Sequence, residues 1–223
     1  MLTTTFDVLL FDLGGVLIEL TGVPQMRVWS GITSDEELWR RWLISPSVRR
    51  FETGRSTAAE FAVALCLEFG LTVNAADFLA AFTLWPSRVY PGAHAMLASL
   101  ATRTRLAALS NNNVVHWERI SRDMGLGVYF GDSFLSHELG LIKPDPAIFA
   151  HVIAALCCPP GRILFMDDNR LNVEQARAVG MVAHRVAGFS EAEALLRSLG
   201  LLGEADAHTV GGIGPGATTS ARK

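Results

Sequence analysis

The chain has 223 residues, of which 50% are hydrophobic and 18% charged, and its formal net charge is −3. This length suits one domain, or a core domain with a smaller domain inserted. Nucleic-acid binding depends on clustered Lys and Arg, and the nearest cluster, Arg49, Arg50 and Arg55, is too thin to predict it. The apolar run at 6–20 is broken by acidic residues and follows no basic segment, so we predict neither a transmembrane helix nor a signal peptide.

The cysteines at positions 66, 157 and 158 are odd in number and lack the Cys-x-x-Cys spacing of many metal sites. Ordinary reduced thiols are the simplest interpretation, and they are typical of a cytoplasmic protein. We expect a monomer or a homodimer with no membrane or nucleic-acid partner.

Predicted strands and helices alternate along most of the chain. Residues 8–11 form a short apolar run that ends at a Gly-Gly turn, which is typical of a buried strand. Further strands are predicted near 106–109, 133–135, 163–166 and 181–183, with helices near 114–124, 147–156 and 173–179. This alternation predicts an α/β fold, a doubly wound (Rossmann-like) parallel sheet covered by helices on both faces.

A helical block interrupts the alternation after the first strand. Ser34 and Thr57 each precede a Glu by three residues, and Asn74 precedes an apolar stretch, so all three have the spacing of helix N-caps. The final segment is rich in Gly, Thr, Ser and Ala and has no apolar periodicity. We predict a core of residues 1–16 and 91–202, an inserted helical cap at 17–90 and a flexible tail at 203–223.

Polar residues follow three of the predicted strands. Asp12 follows the first strand, Ser110 the second, and the pair Asp167 and Asp168 the strand at 163–166. In a doubly wound sheet, ligands bind outside the carboxyl ends of the strands, so these residues are expected to meet. Lys143, on a loop before a helix, supplies a cation. Each residue alone has a structural explanation as a helix cap or surface group, but the set predicts a site.

The charges of this set indicate a cofactor. Asp12, Asp167 and Asp168 carry three negative charges against one positive charge on Lys143. A phosphate monoester adds about two more negative charges, and such a site needs a divalent cation to hold it. Oxygen ligands on strand ends suit Mg²⁺, which bridges carboxylates to phosphates. We therefore predict Mg²⁺ as cofactor and a small phosphorylated metabolite as ligand.

Four segments, in this order and spacing, are similar to the four motifs of the haloacid dehalogenase-like hydrolases. They read Phe-Asp-Leu-Gly-Gly-Val-Leu at 11–17, Leu-Ser-Asn at 109–111, Lys-Pro-Asp at 143–145 and Met-Asp-Asp-Asn at 166–169. The resemblance extends from Phe6 to about Leu199. It implies that the helical insertion is the small cap of the first type (C1).

The resemblance also implies a role for each motif residue. Asp12 attacks phosphorus and carries the phosphoryl group as an aspartyl-phosphate, and Lys143 neutralises the group in transfer. The implied Mg²⁺ ligands are Asp12, the Gly14 carbonyl, Asp167 and Asp168, with Asn172 in support. The implied substrate-binding residues are Gly14, Gly15, Ser110, Asn111 and Lys143. Arg55, on the cap, is a further candidate for contact with the leaving group of the substrate, and the alternative is a solvated helix end.

One position departs from the family pattern. The second motif Asp, which protonates the leaving oxygen and later deprotonates water, is replaced by Gly14, and such acid–base catalysis contributes about 10²–10⁴-fold. His116, six residues after Ser110, has an ordinary pKa near 6.5 and is a candidate replacement. The alternative is a structural helix histidine.

A Gly at this position resembles the bacterial sugar-1-phosphate phosphatases, especially those acting on α-D-glucose-1-phosphate. That branch also resembles this chain at Ser-Asn-Asn-Asn (110–113) and, in the cap, at Phe-Glu-Thr-Gly-Arg (51–55). The phosphatase domain at the N-terminus of epoxide hydrolases is a further resemblance. An anomeric oxygen leaves more easily than an ordinary alkoxide, so sugar-1-phosphates are one expected substrate class.

Three alternatives to a phosphatase remain open. A 2-haloacid dehalogenase uses the same nucleophile, but members of that type need no metal and typically lack the paired acids seen here at Asp167 and Asp168. A phosphomutase usually keeps the second Asp. The third alternative is a catalytically weakened member that binds a ligand or a partner protein. We predict a Mg²⁺-dependent phosphatase acting through Asp12.

Overall fold

The computed structural model describes residues 6–203. Its strands, in chain order, are β1 (Val8–Phe11), β2 (Ile18–Leu20), β3 (Pro86–Val89), β4 (Arg105–Ser110), β5 (Asp132–Leu135), β6 (Ile163–Asp167) and β7 (Val182–Arg185). Its helices are α1 (Gly22–Ser30), α2 (Asp35–Ile44), α3 (Pro46–Glu52), α4 (Ala58–Phe69), α5 (Ala75–Thr83), α6 (Ala93–Ala101), α7 (Val114–Glu118), α8 (Ser136–Leu139), α9 (Pro146–Leu156), α10 (Arg170–Ala178) and α11 (Phe189–Ser198).

Five strands form one parallel sheet in the order β5-β4-β1-β6-β7. Side chains alternate between the faces of β1, so Leu9 and Phe11 enter one apolar cluster while Val8 and Leu10 enter another. Burial on both faces explains why this strand reads as a continuous apolar run. The predicted Rossmann-like α/β fold is confirmed.

The register of the central strands determines where the polar strand ends meet. Phe11 of β1 pairs with Ala108 of β4 on one side and with Met166 of β6 on the other. The residues that follow these three positions therefore lie at one edge of the sheet. Asp12, Leu109 and Asp167 are those residues.

The segment predicted as entirely helical, residues 17–90, has a two-stranded ribbon at its ends. β2 and β3 pair antiparallel, with Ile18 opposite Val89 and Glu19 opposite Arg88. The Arg88 guanidinium lies 2.6 Å from the Glu19 carboxylate. The prediction missed this ribbon because its strands are three and four residues long and pair across the whole insertion.

The helices α1–α5 between these two strands form a helical insert with its own core. Aromatic rings dominate that core, as in the stacked pair Phe51 and Phe61, whose centroids are 4.3 Å apart. The predicted N-caps are confirmed, because the side chains of Ser34, Thr57 and Asn74 each accept a hydrogen bond from a backbone N–H in the first turn of their helices.

The helix predicted near 114–124 is shorter than expected. The α-helix α7 ends at Glu118, and a wider π-helical turn covers Arg119–Asp123. The tail predicted at 203–223 lies outside the described residues except for Gly203. Within residues 6–203, no helix combines the length and the apolar character that crossing a membrane requires.

Candidate active site

The ammonium group of Lys143 joins residues from three strand ends. Its Nζ donates hydrogen bonds to Asp167 Oδ2 at 2.6 Å and to the Leu109 carbonyl at 2.8 Å, and it lies 3.0 Å from Asp12 Oδ1. The Lys143 side chain is 1% exposed, and the Asp167 side chain is fully buried. The structure thus brings the predicted nucleophile, cation and fourth-motif carboxylate together.

Hydrogen bonds from two asparagines orient Asp167. Asn172 Nδ2 lies 3.0 Å from both carboxylate oxygens, and the backbone N–H of Asn169 donates to Oδ1 at 2.8 Å. Asn172 therefore fixes the orientation of the Asp167 carboxylate.

Three carboxylates form a group that fits a metal ion. Asp12, Asp167 and Asp168 each offer an oxygen, and these oxygens lie within 4.8 Å of one another. Carboxylate oxygens are hard ligands of the kind Mg²⁺ prefers. The donor set therefore fits the predicted cofactor.

Burial and repulsion between neighbouring carboxylates raise the pKa of Asp12 and of Asp168. Burial raises the pKa of Asp12 to about 7, with Lys143 opposing the rise and Asp167 and Asp168 adding to it. Burial and Asp167 likewise raise the pKa of Asp168 to about 6. Burial alone would lower the pKa of Lys143, but the charges of Asp12 and Asp167 raise it overall. One ammonium thus does not balance the carboxylates around it.

The loop that carries Lys143 is held by Asn111. The Asn111 amide accepts from the Lys143 N–H at 2.8 Å and donates to the Lys143 carbonyl at 2.9 Å. Ser110, which ends β4, is 4% exposed, and it follows Leu109, whose carbonyl binds Lys143. Both predicted phosphate-binding residues therefore lie beside the charged cluster.

Gly14 and Gly15 allow the chain to turn beside the carboxylates. Gly15 has a φ of +72°, a left-handed conformation that favours glycine. A Cβ there would lie 2.4 Å from Asp168 Oδ2, so a side chain would displace a proposed metal ligand. A Cβ at Gly14 would instead lie 2.9 Å from Leu20 Cδ1, the end of a side chain that is 42% exposed and free to move.

We predict that Gly15→Ala destabilises the protein by about 1–3 kcal/mol, because Ala is strained in the left-handed region. Gly14→Ala is the matched control and should cost less than about 1 kcal/mol, since only the Leu20 side chain must shift. Urea denaturation of both variants measures the difference. Equal loss of stability in the two variants would contradict the assigned backbone conformations.

The contacts of His116 do not support its predicted role as acid or base. Its Nε2 lies 2.7 Å from the Phe82 carbonyl, which only accepts, so Nε2 carries the proton. Its Nδ1 lies 3.2 Å from the Asn113 amide nitrogen, and its ring stacks on Phe82 with centroids 4.1 Å apart. Burial lowers the pKa of His116 to about 4. His116 is therefore a neutral residue that joins α7 to the helical insert through Phe82.

This contact predicts a pH dependence of stability. The folded-state pKa of His116, about 4, lies below the ordinary 6.5, so the unfolded chain binds a proton that the folded chain does not. Stability due to this group is complete above pH 6.5 and is lost as the pH falls towards 4. The full loss is on the order of 3 kcal/mol.

The variant His116→Gln should therefore lose stability more gradually than the wild type between pH 6.5 and 4, even if it is less stable at pH 7. Urea denaturation at several pH values in this window measures both curves. Parallel curves would show that His116 does not resist protonation.

In the described part of the chain, the contacts of Arg55 are not with the charged cluster around Lys143. It is exposed and lines a cleft of about 190 Å³ with Pro46, Arg49, Arg50, Thr53 and Gly140. Within residues 6–203, no hydrogen bond joins it to Asp12 or Lys143. Its predicted contact with substrate stays a prediction.

Glu52, the last residue of α3, was not among the predicted site residues. It lies close enough to Lys143 and Asp12 for their charges to affect its pKa. Burial raises that pKa to about 8, with Lys143 opposing the rise and Asp12 adding to it. The only sequence signal was its place in the segment Phe-Glu-Thr-Gly-Arg, and that signal did not show which way the side chain points.

Comparison with known proteins identifies the class to which this fold and site belong. The model of the haloacid dehalogenase-like hydrolase family matches residues 6–180. The chain therefore belongs to the haloacid dehalogenase-like hydrolases, as the four motifs predicted.

Similar proteins of known activity include phosphatases. The chain is 24% identical to the D-ribitol-5-phosphate phosphatase of Bacteroides thetaiotaomicron over 180 residues, which cover 77% of this chain and 87% of the relative. It is 33% identical to the phosphoserine phosphatase of Thermus thermophilus over 97 residues, 43% of this chain and 39% of that enzyme. A 57-residue match at 37% identity to rat bifunctional epoxide hydrolase 2 covers 26% of this chain and only 10% of that protein.

The solved structures that are similar to this chain include a phosphate-bound enzyme and a dehalogenase. A haloacid dehalogenase family enzyme from Bacteroides thetaiotaomicron, in complex with magnesium and inorganic phosphate, matches with a TM-score of 0.67 and 26% identity over 82% of this chain and 95% of that one. The L-2-haloacid dehalogenase of Xanthobacter autotrophicus matches with a TM-score of 0.61 and 27% identity over 87% of this chain and 82% of that one.

Proposed function

We propose that this chain is a Mg²⁺-dependent phosphatase that hydrolyses a small phosphate monoester through an aspartyl-phosphate on Asp12. The observation that carries the proposal is the buried cluster in which Lys143 contacts Asp12 and Asp167 while Asp168 completes a three-carboxylate group. A binding protein needs no buried nucleophile at this position. The cluster therefore also weighs against a catalytically silent member.

The chain's own residues divide the reaction between them. The Asp12 carboxylate attacks phosphorus, and the bond from phosphorus to the leaving oxygen breaks. Lys143 faces the attacking carboxylate and neutralises charge on the phosphoryl group, while Ser110 and the Asn111 backbone bind its oxygens. Water then attacks phosphorus and releases Asp12.

Asp12, the Gly14 carbonyl, Asp167 and Asp168 are the proposed ligands of Mg²⁺. When bound, Mg²⁺ supplies the positive charge that lets a phosphate dianion approach these carboxylates. Asn172 supports the site because it fixes the orientation of Asp167. A similar enzyme was crystallised in complex with magnesium and inorganic phosphate, which supports the proposal of a magnesium site here.

The same residues help to decide between a phosphatase and a 2-haloacid dehalogenase. The resemblance to L-2-haloacid dehalogenases extends to a solved structure at 27% identity, so the fold alone does not separate the two reactions. A dehalogenase of that type needs no metal, whereas Asp167 and Asp168 place two further carboxylates beside Asp12. We therefore favour the phosphatase.

We propose that α1–α5, together with the ribbon of β2 and β3, act as a C1 cap over the site and that the substrate is a small phosphorylated metabolite. Sugar-1-phosphates remain one candidate class. Two similar proteins are named for ribitol-5-phosphate and phosphoserine, which are esters of ordinary alcohols. The three cysteines are unpaired, and we propose a cytoplasmic location.

The deciding experiment measures phosphate release from p-nitrophenyl phosphate and from a panel of sugar phosphates, and halide release from 2-chloropropionate. We expect phosphate release that requires Mg²⁺, falls to background in excess chelator and is abolished by Asp12→Asn, which keeps the shape but removes the attacking charge. Asp35→Asn, on the exposed start of α2, is the matched control. Halide release that persists in chelator, without phosphate release, would establish the dehalogenase instead.

A further inference from the structure

Neither Gly14 nor His116 supplies the proposed reaction with a proton donor. At Gly14, where the family motif has its second Asp, no side chain is available, and the space next to the α-carbon is occupied by Leu20. His116 is neutral and donates its ring proton to the Phe82 carbonyl. A small ester with an alkoxide leaving group still requires a proton as it leaves.

The end of α3 is held tightly against the core. Gly54, with a φ of +69°, approaches α8 so closely that a Cβ there would lie 2.2 Å from the His137 carbonyl oxygen. Arg49, about one turn before the end of α3, forms an ion pair with Asp145 on the loop that follows Lys143. These contacts fix the last turn of α3 beside the Lys143 loop.

Phe51 and Glu52 are adjacent in α3, and their side chains point in different directions. Phe51 is buried in the aromatic core of the insert, stacked on Phe61. Successive residues on an α-helix are about 100° apart, so Glu52 does not follow Phe51 into that core. It lies instead three residues after Arg49, on the face of α3 that meets the loop after Lys143, and it keeps some solvent contact.

The Glu52 carboxyl group has no partner that would prevent proton transfer. Within residues 6–203 no hydrogen bond to its side chain is formed, whereas Glu60, another acid of the insert beside a helix end, is hydrogen-bonded to Thr57. Burial favours the neutral, protonated form of Glu52. A protonated carboxyl group with access to water suits a group that donates a proton and later accepts one.

We propose that Glu52 is the general acid and base that replaces the carboxyl group missing at Gly14. In the first step, the Asp12 oxygen bonds to phosphorus, the ester P–O bond breaks, and Glu52 gives its proton to the leaving oxygen. In the second step, Glu52 takes a proton from the water that attacks phosphorus, the bond from Asp12 to phosphorus breaks, and inorganic phosphate leaves. The helical insert thus supplies the catalytic group that the core lacks.

This inference rests on the proposed function, and one experiment separates the two. Pre-steady-state hydrolysis of p-nitrophenyl phosphate in the presence of Mg²⁺ is compared for the wild type, Glu52→Gln and the control Glu36→Gln, an exposed acid on α2. Steady-state hydrolysis of the best alkyl phosphate is measured beside it. Absence of turnover by the wild type on every phosphate ester would mean that the proposed function itself fails.

With a wild type that turns over, we expect Glu52→Gln to keep a rapid first release of nitrophenol, which needs no proton, and to slow later phosphate release by about 10²–10⁴-fold. Covalent enzyme should accumulate, and hydrolysis of the alkyl phosphate should fall by at least as much. Glu36→Gln should match the wild type. Adding Gly14→Asp to Glu52→Gln should restore part of the alkyl phosphate activity, because it returns a carboxyl group to the family position.

Two outcomes would overturn the inference. One is a Glu52→Gln enzyme within about threefold of the wild type on both esters. The other is an equal loss in the first nitrophenol release and in the steady state, without rescue by Gly14→Asp, which would give Glu52 a purely structural role.

Discussion

The buried ammonium of Lys143 is the charge on which the site depends. It holds the carboxylate that follows β1, a carboxylate of β6 and a carbonyl of β4 within about 3 Å. Breaking a buried ion pair by removing one partner costs about 3–5 kcal/mol, so Asp12 and Asp167 are structurally as well as chemically constrained. Yet one ammonium does not balance three acids, and burial, with the charges of Asp167 and Asp168 adding to it, raises the pKa of Asp12. The same imbalance is what makes a site for a divalent cation and a phosphate.

The neighbouring residues serve this charge cluster in different ways. Asn111 holds both backbone groups of Lys143, and Asn172 holds both oxygens of Asp167. Gly15 turns the chain without a side chain that would strike Asp168. The end of α3 then brings Glu52 to the same place from the helical insert. In the proposed mechanism, the core supplies charge neutralisation and the helical insert supplies proton transfer.

The sequence predicted what depends on local pattern and strand order. Buried strands and their polar ends are marked by contiguous residues, so the sheet and the cluster around Lys143 were predictable. The ribbon of β2 and β3 was not, because its pairing joins the two ends of a long insertion. The orientations of the His116 and Glu52 side chains could not be predicted, for the same physical reason. Which way each side chain points depends on how the insert packs on the core, through Phe82 for His116 and through Gly54 for Glu52, and no local spacing reports that packing.

The most direct test of the account is whether the phosphoryl group becomes bound to Asp12. The enzyme is mixed with a labelled phosphate ester and Mg²⁺, quenched in acid within the first turnover, and digested for peptide mapping. The account predicts label on the peptide that contains Asp12, stable in acid and released by base, as an acyl phosphate is. Rapid turnover with no label on that peptide, or with label on another residue, would contradict it.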